Sequence, residues 1–310
     1  MTPLYSVVIP VYNSSQSLGL LAEGILRVFR EQIQAPVEVI FVDDGSPNLN
    51  TWPTLQEIAE KHPEIRALQL TRNFGKPGAL ICGLREAKGD FIITMDDDLQ
   101  HRPEDIPLLI AHQNHDVVIA RFPVKQTTFL RKLSSSLKNT ISKYAINKPP
   151  RLTLGPFKLF KKKVVEGMLQ INSPYPSVAA QMLYVTRDVV NADVAHSARP
   201  FGKSGFTFIK MAQSMLNMLL NNSSFMLRLV ATVGILMSLL SFLLAVFYII
   251  RKLTGHIQVS GFTTLVVLVL FTSGLVLFSL GIIGEYLIRI INGTEERPAY
   301  IVRQRARQKD

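Results

Sequence analysis

The chain has a single cysteine among its 310 residues, Cys82, which excludes an internal disulfide and suits a reducing compartment. It has one tryptophan, Trp52. Charged residues make up 18% against 47% hydrophobic, sparse charge for a soluble enzyme. That scarcity is local. Leu229–Ile250 and Phe262–Gly284 carry no charge at all, and each is long enough to cross about 30 Å of hydrocarbon as a helix. Acidic residues are missing from Val117 to Val165, while the same span holds Arg121, Lys125, Arg131, Lys132, Lys138, Lys143, Lys148, Arg151, Lys158, Lys161, Lys162 and Lys163. The N-terminus has no basic n-region and its apolar run stops at Pro10, so it does not read as a signal peptide. No internal repeat or low-complexity segment is present.

The net charge of +11 has two readings. Nucleic acid is one, but no recognised binding module accompanies the basic residues. An anionic membrane face fits better, because the hydrophobic stretches follow the basic span. Basic residues also follow the second stretch: Arg289, Arg297, Arg303, Arg305, Arg307 and Lys309. The connection between the stretches holds only Arg251, Lys252 and His256. Positive-inside weighting therefore puts the large domain and both termini in the cytoplasm of a multi-pass protein. Phe208, Met211, Met215, Met218 and Leu219 recur at helical spacing just before the first stretch and read as a helix lying in the interface. The expected organisation is a catalytic domain over 1–203, an interfacial amphipathic helix over 204–224, and two transmembrane helices within 225–291 (about 225–250 and 262–288). A basic cytoplasmic tail over 292–310 completes it. Gly234, Ser238, Gly274, Gly281 and Gly284 permit close helix packing and a homo-oligomer.

The first half alternates in period. Apolar β-rich runs at Tyr5–Tyr12, Val37–Val42, Arg66–Leu70, Phe91–Met95 and Asp116–Ala120 read as strands. Between them, Leu18, Leu21, Ile25, Val28 and Phe29 have helical spacing, and Trp52–Lys61, Lys76–Ala87 and Pro103–Gln113 read as helices. Phe122–Pro150 reads as a basic, partly amphipathic helix, Gly155–Phe160 as a short strand and Lys161–Gln170 as a helix. Asp188–His196 is weakly strand-like, and His196–Gly205 is a loop rich in donors and glycine. This β-α alternation predicts an α/β fold with a doubly wound, mostly parallel sheet. In such sheets ligands sit beyond the carboxyl ends of the strands. The polar clusters fall there: Asp43-Asp44, Arg72-Asn73, Asp96-Asp97-Asp98 and Arg121.

Asp96 and Asp98 carry the sharpest chemistry. Side chains alternate along an extended segment, so these two are expected to point one way and Asp97 the other. Two carboxylates at a strand's carboxyl end suit Mg²⁺ or Mn²⁺ carrying a diphosphate. The motifs VVIPVYN (Val7–Asn13), VDDGS (Val42–Ser46), RNFGK (Arg72–Lys76) and MDDDLQH (Met95–His101) occur in that order. They are followed by GPFKL (Gly155–Leu159), RPFGKS (Arg199–Ser204), GEYL (Gly284–Leu287) and RPAY (Arg297–Tyr300). In this order, with two C-terminal hydrophobic stretches, the chain resembles family 2 glycosyltransferases of the GT-A fold over nearly its whole length. It resembles specifically the polyprenyl-phosphate branch of dolichol-phosphate mannose synthases, bactoprenol glucosyltransferases and undecaprenyl-phosphate aminoarabinose transferases.

The resemblance implies an inverting, metal-dependent transfer of one sugar from a nucleotide-sugar, UDP favoured, to undecaprenyl phosphate at the cytoplasmic face of the bacterial inner membrane, for envelope glycan or lipid modification. It implies that Pro10, Tyr12 and Asp43 line the base and ribose, with Asn13, Asp44 and Asp97 in the same donor set and Arg72 and Lys76 close by. Asp96 and Asp98 match the metal-binding DxD pair, and Gln100 would sit beside the acceptor. A lipid phosphate is already largely ionised near neutral pH, its second pKa being about 6, so a strong base is less needed than cations. Arg121, Arg131, Lys158, Arg199 and Lys203, with Ser204 beside them, are the acceptor candidates.

Several residues depart from the family pattern. Ser14 stands where Glu is common, Lys158 where Arg is usual, and Ser197-Ala198 where a carboxylate precedes the later Arg. Arg151–Leu154 offers no carboxylate before Gly155, where many members carry a carboxylate often taken as the base. Direct attack by the phosphate and help from Asp97 are the open routes. A catalytically silent membrane protein that binds nucleotide-sugar or recruits partners is the alternative reading. A processive polymer synthase of the same superfamily is the third reading, and the absence of a QxxRW motif argues against it, since Thr51 precedes the only tryptophan.

Overall fold

The computed structural model describes residues 3–122, 146, 148–171, 176–194, 230–237, single positions from there to 254, 261–294 and 298–306. Two compact units emerge. The first joins Met1–Met211 to Glu296–Asp310, and the second is Ala212–Glu295. The chain thus leaves the first unit and returns to it.

The first unit is built on eight strands: β1 Tyr5–Val11, β2 Val37–Asp43, β3 Ile65–Leu70, β4 Phe91–Thr94, β5 Val117–Arg121, β6 Lys158–Lys161, β7 Val189–Asp193 and β8 Val302–Ala306. Their order is β7-β5-β6-β4-β1-β2-β3-β8. The pairs β1–β2, β1–β4, β2–β3 and β5–β7 are parallel, while β6 and β8 run antiparallel to their neighbours. The sheet is mixed and mostly parallel, as the alternation predicts. Every residue of β1 is buried, because helices cover both faces of a central parallel strand.

The connecting helices are α1 Leu18–Val28, α2 Thr51–Lys61, α3 Lys76–Glu86, α4 Ile106–Ile110, α5 Lys162–Leu169 and α6 Val178–Val185. Leu18, Leu21, Ala22, Ile25 and Val28 of α1 form the buried stripe that the spacing predicts. The helix expected over Pro103–Gln113 is shorter. A 3₁₀ turn at Pro103–Asp105 precedes α4, and turns follow Ile110, with the His112 and Gln113 amides bonding three residues back. Most of the Phe122–Pro150 helix and all of the interfacial helix fall on residues outside those described, as do Arg131, Arg199, Lys203 and Ser204. Of the described positions in that range, 146 is helical, while 122 and 148–150 are not.

In the second unit, residues 230–237 are helical and α7 spans Phe262–Thr294. At 33 residues it is about 50 Å long. Among the described residues it is the one helix long and apolar enough to cross a membrane, with a mean hydropathy of 1.7 over Phe271–Ile288. Its described large apolar side chains, such as Leu268, Phe271, Leu277 and Phe278, are exposed within the unit.

Candidate active site

Strand order reverses between β1, which continues to β2 and β3 on one side, and β4 on the other. A crevice opens beyond the carboxyl ends of strands at such a switch point. Here it is a cavity of about 310 Å³ lined by Pro10, Val11, Tyr12, Asp44, Asn73, Gly75, Lys76, Asp96, Asp97 and Asp98. Four segments far apart in sequence meet: the end of β1, the turn after β2, the loop into α3 and the aspartates after β4.

The loop after β3 ends at Gly75, with φ of 84°, and α3 begins at Lys76. The first turn of α3 leaves backbone N–H groups without intrahelical partners, and the helix dipole favours an anion there. Lys76 Nζ forms an ion pair with Asp96 Oδ1, which joins the cation of this helix end to the first aspartate.

The aspartates are not arranged as strand alternation predicts. β4 stops at Thr94, and the chain bends through the three aspartates to Leu99, whose φ is 58°. Asp96, Asp97 and Asp98 therefore all line the cavity. Asp98 Oδ1 accepts the Gln100 N–H at 3.0 Å. Asp97 Oδ2 is buried with no hydrogen-bond partner. Burial raises the Asp97 pKa, with Asp96 and Asp98 adding to the effect and a hydrogen bond from Ser14 opposing it. His101 belongs to the MDDDLQH motif, but the motif alone assigns it no role. It is buried, stacked between Phe122 and Phe157 at 5.6 and 5.3 Å, and its Nδ1 accepts the Asp96 N–H at 3.0 Å. Burial lowers its pKa, outweighing the opposing pull of Asp96 and Asp98, and Lys76 and Lys158 lower it further. A neutral ring with the proton on Nε2 thus holds the backbone of the first aspartate.

The two aspartates after β2 divide their work. Asp43 is fully buried and stands behind the cavity: Oδ1 accepts the Ser46 N–H at 3.0 Å and Oδ2 accepts the Gln69 amide at 2.9 Å. Ser46 Oγ in turn accepts the Asn13 N–H at 2.9 Å. Asp44 lines the cavity, and its Oδ1 accepts the Phe74 N–H at 2.7 Å, tying the second turn to the third. Arg72 is exposed and lies over the Phe74 ring at 4.4 Å. Gln100 is half-buried beside Asp98.

Burial pushes the Asp44 carboxyl up to about 6, with Asp43 adding to the rise and the Phe74 and Gly75 amides opposing it. An unfolded aspartate titrates near 4, so between about pH 4 and 6 the fold holds a proton that the unfolded chain has released. The stability from that neutral acid is complete below about pH 4 and lost as pH rises through about 6. Asp44→Asn cannot ionise, and its amide oxygen still accepts the Phe74 N–H. It is expected to unfold at a higher temperature than wild type at pH 8, with the difference closing by pH 4. A difference that does not vary with pH would refute the assignment.

The acceptor candidates are placed unevenly. Lys158 is buried on β6 opposite Thr94 of β4, not on an exposed rim. Burial pushes its ammonium down to about 8, helped by Lys76 and opposed by Asp96. Arg121 is half-exposed and holds Asp193 of β7 in a two-pronged ion pair at 2.6 and 2.8 Å. Thr153, in the segment without a carboxylate, is pinned by Asn191 at 2.8 and 2.9 Å.

The donor set fits a divalent ion. Among the described residues no three His, Cys, Asp or Glu side chains form a self-sufficient cage. Mg²⁺ is usually held by one or two carboxylates, with substrate phosphates and water completing its shell, and Asp96 and Asp98 supply that number.

Comparison with known proteins bears on the family and the fold. The family model for glycosyl transferase family 2 matches residues 6–169. The undecaprenyl-phosphate 4-deoxy-4-formamido-L-arabinose transferase of Photorhabdus laumondii is 34% identical over 96% of this chain and 93% of its own. Its counterpart in Proteus mirabilis is 32% identical over the same shares. Among solved structures, glucosyl-3-phosphoglycerate synthase from Mycobacterium tuberculosis with UDP superposes at a TM-score of 0.53, with 16% identity over 71% of this chain and 80% of that one.

Proposed function

This chain belongs to glycosyl transferase family 2, and from that premise we propose that it moves a single sugar, with inversion, from a nucleotide-sugar to undecaprenyl phosphate. The carrying observation is the cavity where Asp96, Asp98, Lys76 and the start of α3 converge at the switch point of the sheet. Relatives that transfer 4-deoxy-4-formamido-L-arabinose to the same lipid match along nearly the full chain, which supports the acceptor. UDP is the favoured nucleotide.

Asp96 and Asp98 would hold Mg²⁺ or Mn²⁺, which when bound offsets negative charge on the departing diphosphate. The chain's own groups do the rest. Lys76, which lines the cavity at the start of α3 and pairs with Asp96, would face the diphosphate. Asp44 and His101 fix the loops that carry those groups. The lipid phosphate arrives already ionised, so the absence of a carboxylate in Arg151–Leu154 is compatible with direct attack. With inversion, the phosphate oxygen bonds the anomeric carbon as the bond to the nucleoside diphosphate breaks.

For a membrane-bound enzyme, chain parity supports two crossings. β8 lies after α7 and is hydrogen-bonded to β3 of the catalytic unit. If α7 crosses the bilayer, the chain must cross once more before it to bring β8 back. The uncharged Leu229–Ile250 stretch is the segment able to do so. With two crossings, the catalytic unit and both termini share one side, and the basic residues assign that side to the cytoplasm.

Purified protein in detergent is expected to convert undecaprenyl phosphate to a lipid heavier by one sugar when given Mn²⁺ and one member of a panel of UDP- and GDP-sugars. The panel includes the 4-deoxy-4-formamido-L-arabinose donor. Lipid mass and released nucleoside diphosphate are read together. Nucleotide binding without a lipid product across the panel would overturn transfer to this acceptor and favour a silent binding protein.

A further inference from the structure

We propose that the strand following the membrane unit is a positioning element of the donor pocket, acting through a row of side chains across three strands. This rests on the donor reading of the cavity above. Gln304 of β8, Gln69 of β3 and Asp43 of β2 are direct cross-strand partners in register. Gln304 Nε2 donates to Gln69 Oε1 at 2.7 Å, and Gln69 Nε2 donates to Asp43 Oδ2 at 2.9 Å. Asp43 then accepts the Ser46 N–H, and Ser46 accepts the Asn13 N–H. The row therefore runs from the tail to the turns that flank Tyr12 and Asp44.

The direction of the relay matters. An amide has a donor end and an acceptor end. While Gln304 donates, Gln69 must keep its carbonyl toward β8 and its NH₂ toward the Asp43 carboxylate. The Asp43 carboxylate can only accept, so it and a donating Gln304 hold Gln69 in the same orientation from its two ends. Two backbone contacts seat the tail against the third turn. The Thr71 N–H donates to the Ile301 carbonyl at 2.9 Å, and Gly78 of α3 lets the Ala299 carbonyl approach to 2.8 Å of where a Cβ would stand. Arg305 anchors the strand to Glu86 at 2.8 Å.

Substitutions at exposed Gln304 separate orientation from packing. Gln304→Lys can only donate and keeps Gln69 as it is. Gln304→Glu can only accept, so it draws the Gln69 NH₂ away and turns its carbonyl toward Asp43. The full-length protein in detergent is titrated with UDP, and in parallel GDP, in Mn²⁺, and donor and lipid KM are measured. Gln304→Glu is expected to raise the nucleotide Kd and donor KM about tenfold, and Gln304→Ala about threefold. Gln304→Lys should stay within twofold, with lipid KM, kcat and unfolding temperature unchanged in all three. Arg303→Glu places a carboxylate one residue away, with twice the change in net charge, and should have no effect. Equal losses in Gln304→Glu and Arg303→Glu, or a Gln304→Glu protein that binds like wild type, would overturn the relay. A Gln304→Glu protein that merely unfolds earlier and loses kcat with KM unchanged would overturn it too. If wild type binds neither nucleotide, the donor reading itself falls, and the relay with it.

Discussion

Asp98→Asn should cut glycolipid formation by about a thousandfold or more while the fold stays intact. Asp98 Oδ1 accepts the Gln100 N–H at 3.0 Å, and the side-chain carbonyl of the substituted asparagine can make the same bond, so the bend after β4 keeps its geometry. What disappears is one of two negative charges able to hold a cation beside the diphosphate. Asp96 cannot replace it, because its carboxylate is already shared with Lys76. Three readouts make the prediction specific: lipid mass, Mn²⁺ affinity measured without any substrate, and the unfolding temperature. Activity and Mn²⁺ binding should fall together, with unfolding within about 2 °C of wild type. More than a tenth of wild-type transfer would remove Asp98 from the metal site. Lost activity with unchanged Mn²⁺ binding would move its role to the substrate.

The part of this site that is legible in the sequence is the part set by local pattern. Apolar runs ending in polar clusters locate the carboxyl ends of β1 to β5; Asp44, Asn73 and Asp96 to Asp98 from the clusters after β2, β3 and β4 line the cavity, while Asp43, Arg72 and Arg121 do not. The parts that are not legible depend on contacts across the chain. VRQRA, the strand β8, has no apolar alternation, since at the sheet edge its residues are held by Gln69 and Glu86 instead of by a core. The antiparallel direction of β6 cannot be read from the single short run around Lys158. α6 escapes the pattern because VAAQMLYV carries no strong helical periodicity of its own. Asp43 and Asp44 look equivalent in VDDGS. Only the strand end decides that Asp43 is sealed behind the cavity and Asp44 faces it. Alternation turns Asp97 away, a rule that holds in extended chain and fails where β4 stops one residue before Met95.

Gly45→Ala should be the most damaging single methyl added to the catalytic unit. Gly45 has a φ of +60°, the left-handed region that costs other L-residues about 1–2 kcal/mol. A Cβ there would run into the Arg72 carbonyl carbon and lie 2.8 Å from its oxygen. Both are backbone atoms, so no rotamer change relieves the clash, and the loop after β3 must move. That loop carries Asn73, Gly75 and Lys76 into the cavity, and its Phe74 amide is held by Asp44 at 2.7 Å. Displacement therefore breaks the bond joining the second and third turns and carries Lys76 away from Asp96. Strain, clash and the lost hydrogen bond together should cost about 3 kcal/mol or more, which in a unit of this size lowers the unfolding temperature by about 6–12 °C. Nucleotide affinity should fall further than that of any Gln304 variant, because two walls of the pocket separate instead of one carboxylate being reoriented. Thermal unfolding with and without UDP and Mn²⁺ measures both effects on one sample. A variant that unfolds within about 2 °C of wild type and binds UDP equally well would show that the two turns are not coupled through Gly45.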